Sequence, residues 1–187
     1  MFIQTEPTPN PATLKFIPGV AVAPQGGVEI RAADDAEAKS PLAAALFQIE
    51  GVVGVYLGSD FISVTKSDLQ DWQVMKPEVL GAVMEHFTRG LPVLHGDGAV
   101  DGDEAGPDMD DPVVQQIQEL LDTRVRPAVA GDGGDIVFRG FEDGIVYLSM
   151  QGACAGCPSS TATLKMGIEN MLRHYVPEVQ EVRPAPF

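Results

Sequence analysis

Hydrophobic positions along this chain change their period several times, and each change marks an element. Short apolar runs at Phe2–Thr5, Thr13–Phe16 and Val28–Arg31 predict three strands. Pro7, Pro9 and Pro11 separate the first two and favour extended or turn backbone. Ser40 followed by Pro41 predicts a capped helix over Pro41–Phe47, with proline in its first position. Val52–Leu57 and Phe61–Thr65 read as a hairpin closed at Gly58-Ser59-Asp60. A helical stripe follows over Pro77–Arg89, carried by Val79, Leu80, Val83, Met84 and Phe87 and ended by Gly90 and Pro92.

The pattern resumes at Asp111, which can cap a helix opening with Pro112. Val113, Ile117, Leu120, Leu121 and Val125 form its apolar face. Arg124 and Arg126 are expected near its C-terminal end, where the helix dipole favours cations. Gly131-Asp132-Gly133-Gly134 predicts a turn. Strands at Asp135–Gly140 and Ile145–Met150 flank Glu142-Asp143-Gly144, a hairpin signal. A helix then starts at Pro158, with Leu164, Ile168, Leu172 and Tyr175 inward, and Val179–Arg183 supplies a last strand. The order α-β-β-α-β places helices on one face of a small sheet, an α+β fold.

Between the two patterned parts lies a glycine- and acid-rich run. It buries too little apolar surface to offset its ordering entropy, so it is expected to be a flexible linker. The predicted organisation is two small α/β-layer domains, 1–95 and 111–187, joined by an acidic, Gly-rich linker at 96–110.

The 187 residues carry a net charge of −15. Seven acids and no Lys or Arg fall within 96–111. Such a surface repels phosphate backbones and anionic lipid, so neither nucleic acid nor membrane is an expected partner. The acidic run itself reads first as a solvated linker, and second as an electrostatic handle for basic surfaces. No apolar run is long enough to span a bilayer. The N-terminus lacks the zones of a secretory signal and an Arg-rich presequence. The expected compartment is a reducing one: a bacterial cytoplasm, or the mitochondrial matrix if a presequence was removed.

The chain has two cysteines, in Gly152-Ala153-Cys154-Ala155-Gly156-Cys157-Pro158-Ser159-Ser160. Two intervening residues let both sulfurs face one small site. Their place before Pro158 puts them at a helix start, where unpaired N–H groups favour the metal-binding thiolate. The small residues around them leave room for an inorganic core. An iron–sulfur cluster takes four thiolates and one chain brings two. A twofold dimer with the cluster on its axis is the simplest closed solution. Three other readings stay open: a zinc site, which faces the same shortage of ligands, a dithiol/disulfide oxidoreductase pair, and a plain structural role.

At these residues the chain resembles the NifU-like C-terminal domain of Nfu-type iron–sulfur scaffold and carrier proteins. The likeness extends over roughly 110–185 and includes Arg126-Pro127 and Asp132-Gly133-Gly134-Asp135. Independently, Thr8-Pro9-Asn10-Pro11-Ala12-Thr13-Leu14-Lys15-Phe16, with Gly19 just after, resembles the Nfu N-terminal domain. The resemblance implies that Cys154 and Cys157 are the cluster ligands. It implies a [4Fe–4S] cluster, with [2Fe–2S] as the alternative, shared by two subunits. The protein would be a scaffold or carrier rather than an enzyme. Its partners would be a second copy of itself, apo iron–sulfur enzymes and A-type carriers. The first domain has no cysteine, and the family implies a role there in recognising partners or assisting the scaffold.

Other chemistry-bearing residues have ordinary readings. His86, His95 and His174 are the only histidines; His174 is expected far along the helix from the cysteines. Asp132 and Asp135 read as turn residues beside three glycines. Ser159, Ser160 and Thr161 are expected to cap the helix backbone rather than to contact a cluster. Thr5–Pro11 is either a recognition strip or a rigid connection, and Trp72 either a loop contact or a core residue.

Overall fold

The computed structural model describes residues 2–24, 27–95, 110–154 and 158–185, with the backbone alone at 158–161. The chain divides into two compact units, Met1–Val100 and Asp101–Phe187. Each has its own hydrophobic core. The linker expected at 96–110 falls, apart from Asp110, outside the described residues.

The first unit is a five-stranded antiparallel sheet with three helices. Its strands are β1 (Gln4–Pro7), β2 (Thr13–Ile17), β3 (Val28–Ile30), β4 (Val52–Leu57) and β5 (Ile62–Lys66). They lie in the order β1-β2-β5-β4-β3. Helices α1 (Ala33–Lys39), α2 (Pro41–Phe47) and α3 (Trp72–Thr88) complete it. The Ser40 hydroxyl accepts from Ala43 N at the start of α2 and donates to the carbonyl of Val93. One side chain thus caps a helix and ties down the segment that follows α3.

Two helices differ from expectation. The sequence gives no apolar period for α1, because its buried face amounts to Ala36 alone. Its support is alanine propensity, with Asp34 and Asp35 in the first turn and Lys39 in the last. Helix α3 begins at Trp72, not Pro77, because the Asp71 carboxylate accepts from Gln73 N at 2.9 Å. Pro77 is tolerated there because it removes one helical donor, and the carbonyl left over belongs to exposed Gln73. Met75, Val79, Val83 and His86 form the buried face, while Met84 of the expected stripe is exposed.

The second unit runs α4 (Pro112–Leu120), a π-helical stretch (Leu121–Val125), α5 (Arg126–Gly131), β6 (Gly134–Glu142), β7 (Ile145–Gly152), α6 (Pro158–Tyr175) and β8 (Glu181–Pro184). The α-β-β-α-β order is the one expected. The sheet order is β6-β7-β8, with β6 and β7 antiparallel and β8 parallel to β7. Asp143 and Gly144 both have positive φ, 51° and 79°, as a two-residue primed turn requires. The Asp111 carboxylate caps α4 by accepting from Val113 N at 2.9 Å.

Here too there are corrections. The first helix does not end near Arg126. It widens into π geometry over Leu121–Val125 and continues past Pro127 to Gly131. Such a bulge relieves the clash between a proline ring and the preceding turn. Tyr175, expected inward, is 41% exposed, and Val176 is buried instead.

Candidate metal centre

The cysteine segment leaves the sheet at the end of β7. Gly152 has φ +65°, a left-handed conformation that glycine adopts at no steric cost. Gly133, with φ +79°, makes the corresponding turn into β6. The two turns are joined: Ala153 N donates to the Gly133 carbonyl at 3.1 Å. Gly134 pairs with Gly152 in the register of β6 and β7.

This places Cys154 against the start of β6. The residue is 7% exposed and joins the core cluster that contains Ile136 and Leu172. A Cβ on Gly134 would lie 2.6 Å from Cys154 Sγ, 2.9 Å from the Gln151 carbonyl and 3.0 Å from Cys154 N. Any residue but glycine would collide with the thiol. Cys157 lies outside the described residues, as do the side chains of Ser159, Ser160 and Thr161; the helix itself begins at Pro158.

Next to Gly134, Asp135 is not a turn residue but the second residue of β6, 7% exposed. Its carboxylate is gripped by Arg126. Nε donates to Oδ1 and Nη2 to Oδ2, both at 3.0 Å. Oδ1 also accepts from Ile136 N at 2.8 Å. The remaining arm, Nη1, donates to Asp122 Oδ1 at 3.1 Å, one turn back along the helix. The Asp135 hydrogen bonds hold the Arg126 guanidinium's pKa above its ordinary value, so it stays charged. The i,i+4 spacing of Asp122 and Arg126 fits an ion pair along a helix, but nothing in the spacing joins Asp135 to it. Only the fold joins a helix face to a strand nine residues later.

The histidines stand elsewhere. His86 belongs to the first unit, where it is buried and its Nε2 sits 3.0 Å from the Pro92 carbonyl. The backbone N–H of His95 donates to the Lys39 carbonyl. His174 is at the far end of α6, about 24 Å from its start at the rise of an α-helix. Among the described residues no group of three or more His, Cys, Asp or Glu could hold a metal ion. Trp72 donates from Nε1 to the Pro11 carbonyl at 3.2 Å, and its ring lies 6.4 Å from that of Phe16. It therefore braces the Thr8–Thr13 loop against α3. Among the described residues no helix is long and apolar enough to cross a membrane.

Comparison with known proteins matches both units. The family described as "Scaffold protein Nfu/NifU N terminal" matches residues 3–90, and the "NifU-like domain" matches 117–183. A human protein named "NFU1 iron-sulfur cluster scaffold homolog, mitochondrial" is 51% identical over 97% of this chain and 71% of its own length. The chain belongs to the Nfu family. A Drosophila erecta protein of the same name is 50% identical over 97% of this chain, which spans 64% of that relative's length. Among solved structures, the chain is similar to the solution NMR structure of a NifU-like protein from Saccharomyces cerevisiae. That structure is 26% identical, with a TM-score of 0.47, over 52% of this chain and 87% of its own.

Proposed function

We propose that this Nfu chain is an iron–sulfur cluster scaffold or carrier, not an enzyme, and that Cys154 and Cys157 ligate a [4Fe–4S] cluster shared between two copies. The observation that carries this is the C-x-x-C pair in the connection from β7 to the N-terminus of the 18-residue helix α6. Thiolate is the form that binds iron, and a helix start favours it. The names of the human and Drosophila relatives support the same reading.

Two thiolates from each copy supply the four ligands a cluster requires. Transfer is then ligand exchange without net redox. The thiol of an incoming apo-enzyme or A-type carrier gives up its proton and binds iron as thiolate. One cysteine of this chain leaves that iron and takes up a proton. Repetition moves the whole cluster. In this reading residues 111–187 hold the cargo, 96–110 form the linker, and the cysteine-free first domain, 1–95, recognises partners. A reducing compartment, whether bacterial cytoplasm or mitochondrial matrix, keeps the thiols able to load.

Anaerobic reconstitution with iron, sulfide and reductant tests the proposal. It requires one cluster per two chains by iron, sulfide and mass together, loss of the cluster with Cys154→Ala or Cys157→Ala, and activation of an apo-enzyme. Colourless protein holding zinc would overturn it in favour of a structural site. Thiol–disulfide turnover without cluster uptake would replace it with an oxidoreductase.

A further inference from the structure

We propose that Arg126 and Asp135 are positioning residues for the Cys154 thiol: their ion pair fixes the start of β6, and that strand start is the wall on which the thiol rests. The proposal rests on the reading of Cys154 as a cluster ligand and adds to it two residues that touch no iron.

Three observations carry it. First, the thiol's wall is backbone. A Cβ at Gly134 would come within 2.6 Å of Cys154 Sγ, so the path of the chain at 134 sets where the sulfur can sit. Second, that path turns sharply just before Gly134. Gly133 has a φ of +79° and its N–H donates to the Ala130 carbonyl at 3.0 Å, so the end of α5 leads straight into the thiol's wall. Third, the very next residue is clamped. Asp135 takes two parallel bonds from Arg126 at 3.0 Å and one from Ile136 N at 2.8 Å. Arg126 is itself braced by Asp122 at 3.1 Å.

A guanidinium fork on a carboxylate fixes direction as well as distance, which an ammonium does not. The clamp therefore transmits the position of α5 to Gly134, and from Gly134 to Cys154. The hydrogen bond from Ala153 N to the Gly133 carbonyl closes the same loop from the cysteine side. A cluster shared by two chains needs each sulfur at a set place before its partner arrives, and loosely supported ligands bind metal poorly.

The test uses the full-length chain with two near-isosteric changes. Asp135→Asn removes the charge, and Arg126→Lys keeps it but loses the fork. Each is made in a Cys157→Ser background, where iodoacetamide reads Cys154 alone, without any cluster. Each is also made with both cysteines, where the half-life of a reconstituted cluster against a chelator is followed. Circular dichroism establishes that the variant is folded.

The expected result is alkylation of Cys154 faster by about tenfold and cluster half-life shorter by about the same factor, the scale for groups that support metal ligands. Folded variants with unchanged alkylation would overturn the proposal, even if they melt earlier, because the pair would then only staple the fold. If Asp135→Asn does not fold, Arg126→Lys decides by the same two readouts. A wild-type chain that never loads a cluster would sink the scaffold reading; the alkylation contrast would still decide the clamp.

Discussion

The thiol of Cys154 fills the space that a side chain on Gly134 would occupy. The two residues stand twenty positions apart in the chain. The register of β6 and β7 brings them together by pairing Gly134 with Gly152, two residues before the cysteine. Backbone and sulfur approach so closely that the cysteine's position and the glycine's identity are one requirement.

Gly134→Ala should therefore overpack the site. The expected loss is about 1–3 kcal/mol in the stability of the second unit, the usual range for inserting a methyl group into a packed interior. Gly140→Ala is the control, since an added Cβ there meets nothing within 4 Å. Chemical denaturation of the two variants, with cluster loading measured alongside, checks the contrast. Equal stabilities would show that the thiol moves aside without cost.

His86 makes the first unit sensitive to acid. Burial lowers its pKa from the ordinary 6.5, although the Pro92 carbonyl opposes the shift. The unfolded chain then binds a proton that the folded unit resists. Stability is unaffected above the unfolded pKa. It falls as the pH drops below about 6.5, and levels off once the folded pKa is passed. Melting temperatures of the wild type and His86→Gln across pH 5–8 should diverge in that window, with the variant showing the flatter profile.

Ser40 serves two segments with one hydroxyl. Ser40→Ala removes the N-cap of α2 and the bond to Val93, and leaves the Ala43 N–H and the Val93 carbonyl unserved. Ser40 is fully buried, so the loss should lie at the upper end of the N-cap range, about 2 kcal/mol. Urea denaturation of the first unit measures it.

The Asp143-Gly144 turn offers a test of register. Gly144→Ala would put an alanine at φ +79° with its Cβ 2.9 Å from Gln180 Cγ. The cost should be about 1–2 kcal/mol from the left-handed backbone alone. A substitution that leaves the stability of the second unit unchanged would mean that the turn relaxes into another type.

Residues 110–187 alone should load a cluster, since both cysteines lie within them. Iron and sulfide per chain after anaerobic reconstitution give the answer. A fragment that folds but stays empty would assign the first unit a part in loading beyond recognition of partners.

Local signals predicted most of the elements. Caps at Ser40 and Asp111, the Asp-Gly turn at 143–144 and the helix start at Pro158 each follow from a few adjacent residues, and each stands where expected. The failures have local causes too. Helix α1 has too narrow an apolar face to show a period, and prolines at 77 and 127 look like boundaries although both lie inside helical segments. Asp135 looked like a turn residue because three glycines stand just before it, and only its pairing with Arg126 reveals a clamp.

By itself, the amino-acid order determined the chemical inventory of this protein: two cysteines with two residues between them, small neighbours around them, a helix start behind them and no third cysteine. Such information is short-range, carried by spacing and by the periods of helix and strand. What surrounds Cys154 was decided by tertiary structure alone. A strand pairing brings Gly134 beside it, and a helix prolonged through a π-bulge brings Arg126 onto Asp135, the residue after that glycine. Those neighbours depend on register and twist accumulated over many residues, which no local pattern encodes.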